Sequence, residues 1–283
     1  MNERAQKYSD RRVEYQDLIT ATQLRKLSAT LDRDDPVPGE GDPIPPGWHP
    51  LFFPKLPPTR ELGRDGMIKE IEDWQGAQPL PIRMFAGSRT RFLKPLRIGD
   101  RARRVSELIS TTLKEGRSGK LLFATYRHTI SNAAGAAIVD EWDMVFREEV
   151  KGDAKAPPPG EPAPSGFTWE KTVNPTPVML FRFSAVTFNP HRIHYDHPYT
   201  TGTEGYPNLL VHGPLTAILL CDLARDSNPG ATMTGFDMRA KAPLYAGAPF
   251  RIAGRPRDGG KACDLWAITP QNTVAMEASA MFA

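Results

Sequence analysis

The chain has 283 residues, 40% of them hydrophobic and 24% charged, with a formal charge of +3. That length holds one large domain or two ordinary ones, and so small a charge, without a long basic run or a zinc-finger or RNP-like motif, gives no reason to expect nucleic-acid binding. Two cysteines, Cys221 and Cys263, make no disulfide framework, the N-terminal MNERAQKYSDRR lacks the apolar core of a signal peptide, and no apolar run approaches a membrane span, so a cytoplasmic protein without a membrane segment is expected.

Residues 15–32, YQDLITATQLRKLSATLD, place Leu18, Leu24, Leu27 and Leu31 near helical spacing. A proline-rich passage comes next, from Asp35 to Pro58, with Trp48, His49, Phe52 and Phe53 embedded in it. Its prolines forbid regular helix or central strand, while its aromatics require burial. An ordered segment wrapping over a hydrophobic surface is therefore expected, with Trp48 and His49 present for packing rather than chemistry. Further on, VKGDAKAPPPGEPAPSG has no large apolar group after its first residue and reads as a linker over 151–166. It separates a first half, 1–150, from a second half, 167–283.

The halves repeat one another. GSRTRFLKPLRIG (87–99) and GFDMRAKAPLYAG (235–247) share G-x-x-x-R-x-x-x-P-L-x-x-G, matching Gly87, Arg91, Pro95, Leu96 and Gly99 to Gly235, Arg239, Pro243, Leu244 and Gly247. In the first half, ARRVSELISTTLKEGRSGKLLFATYRHTIS reads as two long strands around KEGRSG, and AAIVDEWDMVF as a third. In the second, FRIAGRPRDGGKACDLWAITP turns at RDGG and NTVAMEASAMF supplies the last strand. Each half thus gives a strand, a bend, a long hairpin and another strand, which is a duplicated unit. Arg91 and Arg239 belong to that repeat, so hydrogen bonds that stabilise the bend are their expected role.

In the second half Gly213 and Pro214 open a helix, since proline at the first helical position loses no needed hydrogen bond. PLTAILLCDLA is apolar on nearly every face and must be buried all round. A buried helix followed by a long antiparallel sheet is the hot-dog arrangement. The predicted fold is α+β, a double hot-dog: two antiparallel sheets, each wrapped on a central helix, joined into one continuous sheet. In the first half DGMIKEIEDW is far more polar than this helix, so a shorter or missing central helix is expected there.

The remaining question is the histidines. Three of the six lie in FSAVTFNPHRIHYDHPYT, at 191, 194 and 197, and a fourth, His212, is close behind in LLVHGPLTAILL. These two segments, the repeat and GWHPLFF resemble the MaoC-like double hot-dog acyl-thioester hydratases and dehydratases. Within that group the likeness is greatest to the bacterial itaconyl-CoA and mesaconyl-C4-CoA hydratases. The resemblance spans most of the chain. It implies an acyl-CoA thioester as substrate, a hydro-lyase reaction and no further cofactor.

Hydration of an enoyl thioester needs a base for water, an acid for the α-carbon and donors for the enolate oxygen. Histidine suits the first two tasks, and the start of a buried helix supplies free N–H groups. Pro214 has no N–H, so Gly213 is the candidate donor. The family's usual motif is D-x-N-P-x-H. Anchored on Asn189, it puts Thr187 in the aspartate's place and the histidine two residues late; anchored on His194, it puts Asn189 there. The nearest carboxylate is Asp196, so the candidate catalytic set is His194 with Asp196, supported by Asn189. His212, Gly213, His191 and Arg192 are candidate substrate contacts, His212 being equally suited to capping the local backbone. H-x-x-H-x-x-H also suits metal ligands, but no supporting Cys or carboxylate cluster accompanies it, and no metal is expected.

Nothing before Gly87 resembles NPHRIHYD, so one site per chain is expected, built mostly after residue 180, with the first half shaping the acyl pocket. The leading reading is hydration of a short, branched, dicarboxylic enoyl-CoA, itaconyl-CoA or mesaconyl-C4-CoA, giving citramalyl-CoA as in itaconate degradation. Rivals are a 3-hydroxyacyl-thioester dehydratase of fatty-acid synthesis, a thioesterase and a catalytically inactive acyl-binding module. A dicarboxylic acyl group needs a cation at the end of a short pocket, for which Arg192 is a candidate; a long chain needs an apolar tunnel. Association into an oligomer of identical chains stays open.

Overall fold

The computed structural model describes residues 12–68, 80, 82–116, 119–148 and 160–283. Ten strands form one antiparallel sheet: β1 (Arg12–Leu18), β2 (Ile82–Phe92), β3 (Arg101–Gly116), β4 (Gly119–Asn132), β5 (Gly135–Arg147), β6 (Trp169–Val173), β7 (Met233–Ala240), β8 (Phe250–Arg257), β9 (Ala262–Ile268) and β10 (Val274–Phe282). Their order across the sheet is β1-β3-β4-β5-β2-β7-β10-β9-β8-β6. The second five strands repeat the order of the first five as a mirror about the β2–β7 seam. The duplication read from the sequence is therefore a duplication of topology, and the continuous sheet of a double hot-dog is its result.

The seam explains part of the repeat. Gly87 pairs with Arg239 and Arg91 with Gly235. Across the seam a Cβ at Gly87 would stand 2.6 Å from the Met238 carbonyl oxygen, and one at Gly235 would stand 3.3 Å from the Thr90 carbonyl oxygen. At Gly87 only glycine lets the strands approach this closely. Contrary to the expectation from sequence, Arg91 does not brace the bend. Its guanidinium crosses the seam to Asp237, with Nη2 donating to Oδ2 at 3.0 Å. Arg239 is exposed, with its charge near Asp143.

Each P-L-x-x-G bend holds an incoming chain segment. In the first half the Ile44 N–H donates to the Leu96 carbonyl and Pro43 bridges Arg97; in the second the Val211 N–H donates to Leu244 and Leu210 bridges Tyr245. Beyond these junctions the two halves diverge. After Val211 comes helix α4, with α1 (Ala21–Thr30), α2 (Pro177–Thr187) and α3 (His197–Gly202) preceding it and α4 itself spanning Gly213–Asp226. α4 packs on β7, β8, β9 and β10 and buries Leu215, Ile218, Leu220 and Leu223. Each of these apolar side chains contributes about 1.5–3 kcal/mol on burial. The helix from 214 is wrapped by sheet as its all-apolar sequence requires.

After Ile44 comes the proline-rich passage, which wraps α4 as anticipated. Trp48, Leu51, Phe52 and Phe53 are buried, the Trp48 indole N–H donates to Asp222 of α4 at 2.9 Å, and the Cys221 thiol lies 3.4 Å from the Pro46 carbonyl. The polar segment DGMIKEIEDW, and with it the expected short or missing helix, lies outside the described residues beyond Ile68, as does the linker before residue 160.

Two sequence expectations change. The 15–32 segment is not one helix: Leu18 ends β1, exposed, and the helix begins at Ala21, burying Leu24 and Leu27. The second half also has more than one helix. α2 was not anticipated because its apolar residues show no helical stripe: Leu180 and Phe183 are buried while Val178 and Phe181 are exposed. α1 and α2 come after the equivalent strands β1 and β6 and pack on each other across the seam.

Candidate active site

α2 is capped by Thr176, whose hydroxyl accepts from the Met179 N–H at 3.1 Å. It ends at Phe188 in the left-handed region, φ 52°, which turns the chain sharply. Asn189 then fastens the turn, its side-chain oxygen accepting from the His191 N–H at 3.0 Å. A single 3-10 turn, Arg192–His194, delivers His194 into the interior, 7% exposed.

His194 is fixed from one side. Its Nδ1 donates to the Leu210 carbonyl at 2.9 Å, while the Leu210 N–H donates to the Ile193 carbonyl at 3.0 Å. Nδ1 therefore carries the proton in neutral His194, and Nε2 carries the lone pair. Nε2 makes no hydrogen bond among the described residues. Two residues beyond Leu210, His212 stacks on His194 with ring centroids 3.6 Å apart. His212 is wholly buried, its Nε2 lies 2.9 Å from the Ser184 hydroxyl of α2, and its Nδ1 is buried without a partner. It does not cap α4 through its side chain. His191 meets His194 edge-on at 5.5 Å.

Both stacked rings are kept neutral. Burial, with His191 adding repulsion, pulls His194 down to about 3. Burial, with His194 and then His191, pulls His212 well below the usual histidine range. A buried imidazole with a fixed tautomer and an open Nε2 is a proton acceptor poised for a transition state that brings negative charge near it. Beside it, α4 begins. The Gly213 N–H makes no hydrogen bond among the described residues and stands at the positive end of the helix dipole. A Cβ at Gly213 would lie 3.2 Å from Phe85 of β2, so the first half closes over this helix end.

Such a site, a base next to an oxyanion donor at a half-buried helix start, fits water addition or removal at an acyl thioester, and the comparisons with known proteins agree. A family model described as hydroxyacyl-thioester dehydratase type 2 matches residues 47–246. The chain is 42% identical over 264 residues, 93% of its length and 92% of the relative's, to a mesaconyl-C(4)-CoA hydratase of Chloroflexus aurantiacus. The chain belongs to the type 2 hydroxyacyl-thioester dehydratase family. Its fold matches a MaoC-like dehydratase from Phytophthora capsici, with a TM-score of 0.70 and 12% identity over 96% of this chain and 95% of that one. It also matches a Mycobacterium tuberculosis protein described as having a double hotdog fold, with a TM-score of 0.60 and 12% identity over 98% of both chains. As a member of this family the protein is a hydro-lyase.

In this dehydratase-family chain the structure sorts the sequence candidates. It brings together His194, His212, Gly213 and, at the rim, His191. It does not bring Asp196 to His194. The Asp196 carboxylate accepts from Arg192 Nε and Nη2 at 3.0 and 2.8 Å and caps α3 through the Tyr199 N–H at 3.1 Å. Those bonds, Arg192 first, hold it below the usual carboxylate range. Arg192 is correspondingly spent: it also donates to the Arg64 carbonyl at 3.0 Å and lies 3.9 Å over the Tyr199 ring. Its role is to pin the 63–66 loop of the first half onto the motif, not to end an acyl pocket. Asn189 acts on the backbone alone. His197 opens α3 and is exposed, so the H-x-x-H-x-x-H spacing does not converge. Among the described residues no group of three or more His, Cys, Asp or Glu side chains is arranged for a metal, and no helix is long and apolar enough to cross a membrane.

Sequence reasoning missed one polar cluster. His49, taken there as packing, sits 6% exposed with Nε2 3.0 Å from Asp140 Oδ2, and Thr90 donates to Asp140 Oδ1 at 2.8 Å. The Trp142 indole N–H also donates to Asp140. The signal lay in β5. Alternation puts Ile138, Asp140, Trp142, Met144 and Phe146 on one face, and a lone aspartate in such a row calls for an explanation.

Proposed function

We propose that this protein hydrates a short, branched, dicarboxylic enoyl-CoA, itaconyl-CoA or mesaconyl-C4-CoA, to citramalyl-CoA, with the second half carrying the chemistry and the first half shaping the acyl pocket. The observation that carries the reading is His194: neutral, tautomer-locked through Leu210 and open at Nε2, beside a Gly213 N–H with no partner among the described residues. The 42% identity to a mesaconyl-C(4)-CoA hydratase supports the substrate class.

On mesaconyl-C4-CoA, whose double bond is conjugated with the thioester, water sits between His194 Nε2 and the β-carbon. Itaconyl-CoA, whose double bond joins the β-carbon to its methylene, first has an α-proton moved to that methylene by the same imidazole. As the water oxygen bonds to the β-carbon, its proton passes to Nε2 and the double-bond electrons move onto the thioester oxygen, where the Gly213 N–H holds them. The enolate's charge offsets the burial that disfavours imidazolium, so the base strengthens as the enolate forms. The same imidazolium then gives its proton to the α-carbon, and water has been added across the double bond with nothing left over. A carboxylate partner on the histidine is not needed, which accounts for the missing aspartate of D-x-N-P-x-H.

Itaconyl-, mesaconyl-C4-, crotonyl- and longer enoyl-CoA esters, followed by chromatographic detection of the 3-hydroxyacyl-CoA product, test the reading. Fastest turnover is expected on the two dicarboxylic esters. Preference for long, unbranched chains would favour a dehydratase acting on 3-hydroxyacyl thioesters in reverse. Release of free thiol would indicate thioester cleavage. No turnover with any ester would leave an inactive acyl-binding module.

A further inference from the structure

Arg192 is occupied, so a dicarboxylic acyl group must find its partner elsewhere. Past the start of α4, a small cavity of about 40 Å³ lies between the halves, lined by Phe85, Ser88 and Trp142 from the first half and by Pro214, Ala217 and Ile218 from α4. Phe85 borders both this cavity and Gly213, and its ring meets Trp142 edge-on at 5.4 Å. An acyl group whose thioester oxygen rests at Gly213 would extend along Phe85 toward the cavity. Its volume suits a small polar group and not an extended alkyl chain. Phe92 and Phe236 also line it.

His49 lines this cavity, and its Nδ1 is buried with no hydrogen-bond partner among the described residues. Such an atom is costly unless something pairs with it. The His49 Nε2 is committed to Asp140. Burial alone would push the Asp140 carboxyl up, but the His49 hydrogen bond and charge outweigh it and hold the carboxyl below its usual range. An ionised Asp140 can only accept, so His49 Nε2 donates and Nδ1 is the atom left for a ligand. Arg104, over the rings of Tyr15 and Phe53 at 4.6 and 5.5 Å, has its charge near Asp140 as well. The free carboxyl of an acyl group would share its proton with Nδ1, while Arg104 faces the Asp140 charge. His128 also lies near Asp140, but burial holds it neutral at about 4, and its Nδ1 lies 2.8 Å from the Ser106 hydroxyl.

We infer that His49, oriented by Asp140, binds the free carboxyl of the acyl group through Nδ1 and thereby selects dicarboxylic enoyl thioesters. The inference rests on the hydratase reading above and names the residue that sets its substrate class. Trp142 and Thr90 hold Asp140 in place, and the first half contributes this contact to a reaction run by the second.

The experiment compares kcat/KM on mesaconyl-C4-CoA and itaconyl-CoA with that on crotonyl-CoA, for wild type and for His49→Gln, with thermal melting as a check of folding. The dicarboxylic-to-crotonyl ratio is expected to fall by at least about a hundredfold, chiefly through KM on the dicarboxylic esters, because a buried carboxyl group loses its hydrogen-bond partner. His49→Asn, also uncharged and smaller, carries the same comparison if the glutamine variant does not fold. A folded variant that keeps the wild-type ratio overturns the inference. So does an equal loss on all three esters, which would place His49 in the common chemistry. If wild type itself shows no preference for the dicarboxylic esters, the substrate reading fails first; if wild type prefers them and the variants still do, only the role of His49 fails.

Discussion

The two P-L-x-x-G bends receive their incoming segments alike, Ile44 on Leu96 and Val211 on Leu244, and then send the chain to different ends. Val211 leads through His212 and Gly213 into α4, whose half-buried start offers an N–H with no partner among the described residues. Ile44 leads into a proline-rich strap that lays Trp48 and His49 against that same helix. Each junction serves a buried histidine, His49 directly and His194 through the Leu210 carbonyl and the stacked His212, and the difference lies in what holds it. His194 gives its Nδ1–H to a backbone carbonyl and stacks on a second neutral ring. His49 is bonded to a carboxylate. A carbonyl fixes a tautomer without supplying charge, which suits proton transfer, whereas a carboxylate fixes one ring nitrogen and leaves the other for a ligand's acidic group. Duplication supplied the same backbone junction twice, and the polar partner decided its use.

The sharpest way to break this comparison is at Gly213. Gly213→Val is expected to abolish hydration, since a side chain there meets Phe85, with the Cβ alone at 3.2 Å, and obstructs the approach to the N–H. Melting should remain cooperative, because the helix start has ordinary φ. Turnover near wild type would remove the helix start from the chemistry. Next comes His194→Ala, expected to lower kcat by at least about a hundredfold, as for loss of a general acid–base group. Wild-type turnover in that variant would pass the role to His191, the ring that meets His194 edge-on.

Acid sensitivity sharpens the contrast from the stability side. His194 at about 3, and His212 well below the usual range, bind no proton when folded but do so when unfolded, near 6.5. The unfolded state then takes up more protons below pH 6.5, so stability is complete above that value and is lost as pH falls toward about 3. Each such histidine contributes a slope of at most about 1.4 kcal/mol per pH unit. His128, lowered to about 4 by burial, acts in the same direction. The melting temperature should fall steadily between pH 7 and pH 5, and less steeply in His194→Ala. A flat profile would mean that the stacked pair is not held neutral.

Much of this was legible in the residues. The G-x-x-x-R-x-x-x-P-L-x-x-G repeat foretold the seam because its glycines answer to strand contact, and PLTAILLCDLA foretold a helix buried all round because no face of it is polar. His194 stood out by its motif, and Gly213 by preceding a proline. The partners did not. Which atom receives the His194 proton depends on Leu210, sixteen residues on, and the link between His49 and Asp140 spans 91 positions; neither leaves a local spacing to read. Asp196 misled for the opposite reason. Nearness in sequence to His194 made it the obvious partner, yet within one 3-10 turn the two side chains diverge, and the i,i+4 pairing with Arg192 and the cap of α3 claim the carboxylate first.

That competition gives the smallest effect and the finest test. Asp196→Asn leaves a side-chain oxygen able to cap Tyr199, so α3 should survive, while the charge that Arg192 grips through Nε and Nη2 is lost. Arg192 keeps its bond to the Arg64 carbonyl and its place over Tyr199, which limits how far the 63–66 loop is released. Asp196 is well solvated, so the ion pair is screened and its removal should lower the melting temperature only slightly. Turnover should stay within about threefold of wild type, because the Leu210 carbonyl, not this carboxylate, sets the His194 tautomer. A loss approaching that of His194→Ala would show that the two groups act as a dyad during turnover. The second half would then hold its histidine as the first half does, with a carboxylate, and the contrast between them would collapse.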